Sequence, residues 1–459
     1  MKSDSANKLV KVTSVIEEIY GGNLHKKRQQ SLAYAAMGVL ASESLFLHQI
    51  AEGMVDTRGV KKKHATKQID RLLSNKGVSV WDLSEAWVKY VIGENKTIRV
   101  ALDWSSFFDD EQSTLSLNIV TGKGLSTPLL WKSMNKNQLK HNRARYEDQL
   151  LSQLKMVLSL DVMVILLADR GFTDQKFFRF LEEELHFKYI IRIKSSTTVI
   201  HKEIKDKAAN WLKSDGKLLH LKEALLTLEK YPIKQFVAVK DKNMKAAWFL
   251  AIVSPFLRPL LGHPSPQKGQ KLSTSMPAAA LAVLRTLVMT RLGVITSLPQ
   301  MTCRPCCGPY ILPSAKHPVL RSTRDYRPRS FVASLADSVS NTDFKGSEIV
   351  KHYSKRWKIE PYFRDLKNSR FGWGLESTHI KSCERRDKLM LILALSYTLL
   401  TILGEAGEVL GFDKKLKVNT VKTRTHSLFR QGQFYYKFFF RFPQNEQEML
   451  MGKFQELLT

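Results

Sequence analysis

Residues 162–168 have the sequence VMVILLA, an apolar run with Asp161 before it and Asp169 after it. Seven consecutive apolar residues are typical of a strand that is buried on both faces, as at the centre of an α/β sheet. The strand should end where the polar residues begin, so Asp169 is expected at the rim of the sheet. The run therefore predicts an α/β fold with a carboxylate held rigidly at the edge of its core.

The sequence on either side of this run alternates strand and helix patterns. The predicted order is strand 97–104, hairpin strands 115–120 and 125–131 around the turn 121–124, helix 146–160, strand 162–168, helix 177–185 and strand 188–193. Three strands, a helix, a strand, a helix and a strand form a mixed α/β core. This order is compatible with a ribonuclease H-like layout.

Two aspartates lie at the ends of predicted strands of this core. Asp103 comes after the apolar run RVAL, and Asp169 comes after VILLA. Two carboxylates on neighbouring strands repel each other unless a cation lies between them. With a glutamate from a helix they could hold two Mg²⁺ ions, which prefer oxygen ligands and clamp the oxygens of a phosphoryl transfer. The alternative for each aspartate is a turn residue or a helix N-cap, and Asp109, Asp110 and Asp174 in loop patterns are rival carboxylates.

Residues 347–367 (SEIVKHYSKRWKIEPYFRDLK) predict a helix that could supply the glutamate. Five polar or ionisable side chains fall within about 80° of its circumference. They are Tyr353, Arg356, Glu360, Arg364 and Lys367. Trp357 borders this stripe, and it could stack on an unpaired base or pack against the core. The alternative for the stripe is a charged face turned to solvent, and Pro361 predicts a kink or a new turn.

The N-terminal region, residues 1–95, has helical patterns. Apolar residues recur at helical spacing over 32–53 and 65–73. Between these segments lies a basic run of Lys61, Lys62, Lys63 and His64. The run could be a solvated loop, or it could grip a phosphate backbone at the start of a helix.

The charge of the chain favours a polyanionic partner. The 459 residues contain 72 Lys and Arg against 43 Asp and Glu, a formal net charge of +29. Such a balance favours nucleic acid before a membrane surface. Four cysteines are too few for a disulfide scaffold and indicate a reducing compartment. No export signal is expected in 1–22, and the apolar run 389–403 has 15 residues, which favours a buried core helix over a membrane span.

One long stretch differs in composition from the rest. No Asp or Glu occurs from Lys242 to Arg324, and eleven of the 15 prolines lie between Pro255 and Pro328. We interpret 255–330 as either a basic, partly disordered insert or foreign sequence, and we favour the second. Three cysteines in this stretch, Cys303, Cys306 and Cys307, could bind zinc with a histidine, but no second ligand pair exists and incidental cysteines are favoured.

Four residues of the predicted stripe carry a family resemblance. Tyr353, Arg356, Glu360 and Lys367 fit the pattern Y-x2-R-x3-E-x6-K, which resembles the signature of bacterial DDE transposases of the insertion-sequence-four family. The sequences LDWS around Asp103 and ADRGF around Asp169 are similar to the family's two aspartate motifs. IDRLLSN (69–75) and GWGLESTHIKSCER (372–385) also resemble the family. The resemblance covers most of 25–254 and 345–425.

The resemblance implies a DNA transposase that works by cut and paste, with hairpins at the transposon ends. Asp103, Asp169 and Glu360 would be the catalytic triad and would bind Mg²⁺, for which Mn²⁺ can substitute. The DNA contacts would be Tyr353, Arg356, Trp357, Arg364, Lys367 and the basic run Lys61, Lys62 and Lys63. The partners would be double-stranded DNA, as terminal inverted repeats and target, and a second copy of the chain in a homodimer. The location would be the bacterial cytoplasm, at the nucleoid, with no membrane.

The expected organisation follows from these assignments. The fold class is α/β, with a ribonuclease H-like catalytic core at 96–194 and 345–412. A helical DNA-end-binding domain at 1–95 precedes it, a β-rich insertion occupies 195–254, and a C-terminal helical region at 413–459 supports dimerisation. Three alternatives stay open: a disrupted copy that binds DNA ends without cutting, a basic DNA-binding regulator, and a generic ribonuclease H-like nuclease.

Overall fold

The computed structural model describes residues 12–107, 110–120, 126–227, 229–242, 244–253, 344–368, 370, 372–417, 420–421 and 424–458. Three of the sequence predictions lie outside the described residues. These are the turn at 121–124, the rival Asp109, and the stretch of odd composition at 255–330 with its three cysteines.

Helices occupy both ends of the chain. The first part has α1 (12–20), α2 (Lys26–Ser42), α3 (Leu47–Arg58), α4 (Lys62–Ser74) and α5 (Ser84–Ile92). The middle has α6 (Lys136–Leu139), α7 (Arg143–Val157) and α8 (Gln175–Arg179), which continues as a π turn to Glu184. The last part has α9 (Gly346–Ser354), α10 (Ile359–Lys367), α11 (Cys383–Val409), α12 (Leu428–Phe438) and α13 (Gln444–Leu458).

Ten strands form a single sheet. They are β1 (Thr97–Phe107), β2 (Gln112–Val120), β3 (Ser126–Asn135), β4 (Met163–Ala168), β5 (Lys188–Arg192), β6 (Thr198–His201), β7 (Ile204–Lys207), β8 (Leu219–Leu226), β9 (Tyr231–Val239) and β10 (Trp248–Val253). Their order is β3-β2-β1-β4-β5-β10-β9-β8-β6-β7. The prediction of a mixed α/β fold is confirmed, and the later strands extend the same sheet as the early ones.

The pairing of the central strands reflects their sequences. β1 pairs parallel to β4 and β4 parallel to β5, whereas β2, β3 and β10 pair antiparallel with their neighbours. The apolar run in β4 is buried from Val164 to Ala168 because helices cover both faces of the sheet. Trp104 of β1 donates a hydrogen bond to Glu147 of α7 on one face, and Phe107 packs beneath Arg386 of α11 on the other.

Helix α11 is the central buried helix of the C-terminal part. Among the described residues it is the one helix long and apolar enough to cross a membrane, and the most apolar 18 residues are fully buried within the protein. The prediction of a buried core helix at 389–403 is thus confirmed, although the helix has 27 residues rather than 15. It crosses α12 closely: a Cβ on Gly404 would lie 1.8 Å from the carbonyl oxygen of Leu428. Only glycine allows this approach.

Two predicted helices are interrupted. The apolar spacing over 32–53 divides between α2 and α3, since Glu43 has a left-handed backbone with φ of 50°. The segment 347–367 divides into α9 and α10, which are joined by a 3₁₀ turn over Lys355–Lys358. The kink expected from Pro361 therefore begins a few residues before the proline.

Candidate active site

Strands β1 and β4 place two aspartates side by side. The parallel register pairs Leu102 with Ala168, so Asp103 and Asp169 both come one residue after the last pair. The prediction that Asp103 ends its strand is wrong, because β1 continues to Phe107 while paired with β2. Asp103 nevertheless lies at the rim of the parallel pair, where β4 ends. Its Oδ1 accepts a hydrogen bond of 3.0 Å from the backbone N–H of Trp104.

Helix α10 brings Glu360 to the same rim. Ile359, Tyr362 and Leu366 are buried and fix α10 against the core, while Glu360 lies on the outer side with its side chain 49% exposed. The 3₁₀ turn before α10 changes the helical phase, because residues three apart nearly eclipse in a 3₁₀ helix. Tyr353 and Arg356 therefore turn inward while Glu360 and Arg364 stay at the surface. The predicted single stripe is divided by this turn.

Arg356 lies at the centre of the three carboxylates. Its Nη1 is 3.6 Å from Oδ2 of Asp103, and its Nη2 is 3.8 Å from Oδ2 of Asp169 and 3.9 Å from Oε1 of Glu360. The arginine side chain is only 5% exposed. Each contact is longer than a hydrogen bond of a charged pair, which is near 2.8 Å. The guanidinium thus touches three anions without binding any one of them tightly.

A second arginine, Arg192 at the end of β5, lies near the other carboxylate oxygen of Asp169. Its Nη1 is 3.8 Å from Oδ1 of Asp169, and its Nη2 donates to the carbonyl oxygen of Ala247 at 3.1 Å. Sequence reasoning missed this residue. The available signal was a basic residue that directly follows the apolar run of the next strand, in the same position that Asp169 has after β4.

Burial and charge act against each other on the ionisable groups. Burial raises the pKa of Asp103, and the nearby Arg356 opposes the rise. Burial lowers the pKa of the Arg356 guanidinium, but Tyr353, Asp103 and Asp169 together outweigh it, so the pKa of Arg356 is raised. Arg356 therefore keeps its positive charge among the carboxylates at any physiological pH.

The donor set suits a hard divalent cation. Three carboxylates supply the oxygen ligands that Mg²⁺ and Mn²⁺ prefer. Oδ1 of Asp169 is buried and accepts no hydrogen bond from any described residue, so it has capacity for a ligand. Within the described ranges, however, no three His, Cys, Asp or Glu side chains are grouped closely enough to hold a metal as they stand. The residues fit a metal in chemistry, and they would have to draw together around it.

Aromatic side chains line one side of this cluster. Tyr353 is 1% exposed and meets the ring of Trp248 edge-on, with ring centroids 5.1 Å apart. Trp357 stacks on Trp248, with ring centroids 6.3 Å apart and an interplanar angle of 17°. Trp357 is nevertheless 41% exposed. Trp357 thus both packs and faces solvent. The burial of Tyr353 leaves little room for the predicted contact with a phosphate in this conformation.

The remaining predicted residues lie at different places. Arg364 is exposed on α10, and Lys367 of the same helix donates to the carbonyl oxygen of Ser106 at 3.1 Å, beside the strand that carries Asp103. The basic run at Lys61, Lys62 and Lys63 is exposed at the start of α4, where Lys62 pairs with Glu52. None of these three lysines has a contact with the carboxylate cluster among the described residues.

The rival carboxylates have structural roles. Asp110 pairs with the buried Arg386 of α11. Asp174 caps α8 by accepting a hydrogen bond from the backbone N–H of Lys176. Neither contacts Asp103, Asp169 or Glu360 in the described part of the chain.

A sheet edge with two strand-borne aspartates and a helix-borne glutamate defines a candidate enzyme of phosphoryl transfer. The family described as "Transposase DDE domain" matches residues 137–399, which is more than half of the chain. The protein therefore belongs to the DDE transposase family, whose members act on DNA and generally use divalent metal ions. The matched range contains Asp169 and Glu360 and begins after Asp103. No curated protein is significantly similar to the chain.

Proposed function

We propose that this protein is an insertion-sequence transposase that excises DNA and joins it to a target. The observation that carries the proposal is the convergence of Asp103, Asp169 and Glu360 on one guanidinium, at 3.6, 3.8 and 3.9 Å. These residues come from two strands and a helix, and the last is 191 positions from the second. A chance grouping of three carboxylates around a buried arginine is costly, because each ion must lose its water.

We further place the protein in the insertion-sequence-four family. The pattern Tyr353-x2-Arg356-x3-Glu360-x6-Lys367 supports this assignment, and the sequence resembles the transposase of the tetracycline-resistance composite transposon. The sheet order β3-β2-β1-β4-β5, with only β1, β4 and β5 parallel, supports a ribonuclease H-like core. β6 to β10 would be the β-rich insertion of this family.

The three carboxylates would hold Mg²⁺ or Mn²⁺. A divalent cation there lowers the pKa of an attacking water and stabilises charge on a phosphodiester. Asp103 and Asp169 are positioned by the parallel register of β1 and β4, so their spacing is fixed by the sheet. Glu360 approaches from a separate helix, so its distance to the aspartates depends on the packing of α10.

The surrounding residues would bind the DNA end. Lys367, held by Ser106, brings a positive charge beside the strand of Asp103. Arg364 is exposed on the same helix and would contact phosphate. Trp357 offers one face to an unpaired base while Trp248 supports the other. Tyr353 and Arg356 would reach phosphate only after the cluster rearranges.

The two ends of the chain would serve the larger assembly. The helices before β1 would recognise the terminal repeats, with Lys61, Lys62 and Lys63 on the phosphate backbone. The region 413–459 would form a homodimer. The exposed apolar side chains of Phe434, Phe440 and Met449 support this part of the proposal. The protein would act in the bacterial cytoplasm, at the nucleoid.

A second candidate is a disrupted copy that binds DNA ends without cutting them. The acid-free, proline-rich sequence between β10 and α9 favours it. Against it stands the geometry of the described core, in which Glu360 contacts the same guanidinium as both aspartates although 92 residues separate the end of β10 from the start of α9.

Cleavage of a linear duplex that carries the insertion sequence's own ends, with Mg²⁺, tests both candidates. We expect the full chain to cut, and we expect Glu360→Gln to bind the duplex without cutting it. If only a version that lacks residues 256–330 cuts, the full chain is the disrupted copy. If neither version cuts while both bind, Asp103, Asp169 and Glu360 lose their assignment.

A further inference from the structure

Arg356 holds an unusual position for a buried cation. Its guanidinium contacts three carboxylates from three different segments, and its side chain is 5% exposed. A buried arginine normally forms a paired set of short hydrogen bonds with one carboxylate. Here every contact lies between 3.6 and 3.9 Å, and Nε is buried without a hydrogen-bond partner in the described part of the chain. The geometry is that of a shared counter-ion rather than of one salt bridge.

The charges of the cluster explain why a cation is needed. Asp103, Asp169 and Glu360 carry three negative charges, and Arg192 offsets part of this on one side of Asp169 only. Without Arg356 the carboxylates would face one another directly, and like charges at this range raise one another's pKa or move apart. Arg356 is the one described cation that contacts all three.

The guanidinium holds the carboxylate oxygens at long contact distances, while the sheet fixes the backbone positions of Asp103 and Asp169. A Mg²⁺ ion draws its oxygen ligands to about 2.1 Å, whereas the nitrogen atoms of Arg356 hold them at 3.6 Å or more. This wider spacing accounts for the finding that no described group of carboxylates is compact enough for a metal. A metal and the guanidinium cannot occupy the centre of the cluster together.

We infer that Arg356 is a built-in counter-ion that competes with the divalent cation for Asp103, Asp169 and Glu360. The inference rests on the proposed function, since it takes these three residues as the metal ligands. Arg356 is then a positioning residue of the free protein: it keeps the carboxylates together and keeps metal affinity low. When the metal binds, the guanidinium must leave the cluster, and it becomes available to another anion such as a phosphate of the DNA.

The first test is calorimetric titration of the free protein with Mn²⁺, without DNA. Replacing Arg356 with methionine (Arg356→Met) should tighten Mn²⁺ binding at least about tenfold, because the competing charge is removed. Arg356→Lys keeps the charge but loses the planar guanidinium that contacts all three carboxylates, so we expect Mn²⁺ to bind about threefold more tightly. Arg145→Met, which removes an equal charge from the exposed surface of α7, should leave the affinity unchanged. Structural damage would weaken binding, so a gain in affinity is specific to competition.

Unchanged or weaker Mn²⁺ binding by both Arg356 variants would overturn the inference. If Arg356→Met does not fold, Arg356→Lys carries the same test. Glu360→Gln separates this failure from failure of the proposed function. If Glu360→Gln leaves Mn²⁺ binding of the otherwise unchanged chain intact, the metal site itself is misplaced. If it weakens binding while the Arg356 variants do not tighten it, only the counter-ion role fails.

A second test uses the unaltered chain. Phenylglyoxal modifies accessible guanidinium groups, and mass spectrometry reports the modified positions. Arg356 should be protected in the free protein and should become reactive at saturating Mn²⁺, whereas exposed Arg364 should react in both conditions. Equal protection of Arg356 with and without bound Mn²⁺ contradicts the displacement.

Discussion

Two buried arginines of this molecule contact carboxylates, and they do so in opposite ways. Arg386 of α11 is fully buried, and it donates to Asp110, to Gln112 at 2.6 Å and to the carbonyl oxygen of Ile380 at 3.2 Å. Arg356 has three contacts with carboxylates, all between 3.6 and 3.9 Å. Arg386 forms the short bonds of a structural joint between α11 and the start of β2. Arg356 keeps long contacts that a ligand can replace.

The surroundings of the two arginines match this difference. Asp110 is 2% exposed, so it has no access to solvent or DNA. The side chains of Asp103, Asp169 and Glu360 are 28%, 34% and 49% exposed, so each of these three acids reaches solvent. Buried charge alone therefore does not distinguish a reaction centre from a structural pair. Contact length together with the exposure of the acids does.

The largest effect is expected from the three partly exposed carboxylates around Arg356. Glu360→Gln should reduce Mg²⁺-dependent DNA cleavage at least about a thousandfold, or about 4 kcal/mol in the barrier, because it removes a metal ligand. Thermal unfolding should be unchanged or slightly improved, since one of three repelling charges is gone. Cleavage of end-bearing DNA and the melting temperature check both parts. As a control, Asp174→Asn should keep cleavage. A large loss of stability in Glu360→Gln would show that the cluster is structural and would remove the contrast with Arg386.

The next effect concerns the buried pair of Arg386 and Asp110. Arg386→Met should lower the free energy of unfolding by about 3 kcal/mol, because Asp110 is left buried and unpaired. Its neighbour Arg385 is the matched control: it pairs with Asp70 at the surface, so Arg385→Met should cost less than about 1 kcal/mol. Urea denaturation measures both. Equal costs for the two substitutions would mean that burial of the Arg386 pair contributes nothing.

The sequence predicted the part of this comparison that depends on local pattern. Apolar runs predicted β1, β4 and β5, and a helical wheel over 347–367 predicted one stripe of five polar or ionisable side chains. The wheel assumes a constant helical phase, so it could not predict that the 3₁₀ turn at Lys355–Lys358 would bury Arg356.

The remaining contacts depend on pairing between distant residues. Arg386 meets Asp110 across 276 positions, and β10 joins β5 across more than fifty. The local signal for Arg192, a basic residue directly after the apolar run of β5, is weak because basic residues are frequent in a chain that has 72 of them. The roles of Asp103, Asp169 and Glu360 stay a prediction that the geometry supports.

A smaller effect of pH on stability is expected from Asp387, the residue after Arg386 in α11. Burial raises the pKa of Asp387 to about 7. The folded state therefore binds a proton that the unfolded state releases between about pH 4 and pH 7, so this group's contribution to stability falls as pH rises through that window. Asp387→Asn should be more stable than the unaltered chain by about 2 kcal/mol at pH 8, with little difference near pH 4. Melting curves from pH 4 to pH 8 measure this, and a constant difference across the range contradicts it.

The smallest effect concerns Trp357, one of the aromatic side chains beside the carboxylates around Arg356. Trp357 is 41% exposed and stacks on Trp248 with one face, so Trp357→Ala should lower the free energy of unfolding by only about 1 kcal/mol. If the open face takes an unpaired base, affinity for a duplex with an unpaired nucleotide near its end should fall about fivefold to tenfold. Affinity for the fully paired duplex should change less, because its bases stay stacked on one another. Leu160→Ala, at an apolar side chain that is 95% exposed, is the control and should change neither affinity. Fluorescence anisotropy with the two duplexes measures the difference, and equal losses on both would assign Trp357 to packing alone.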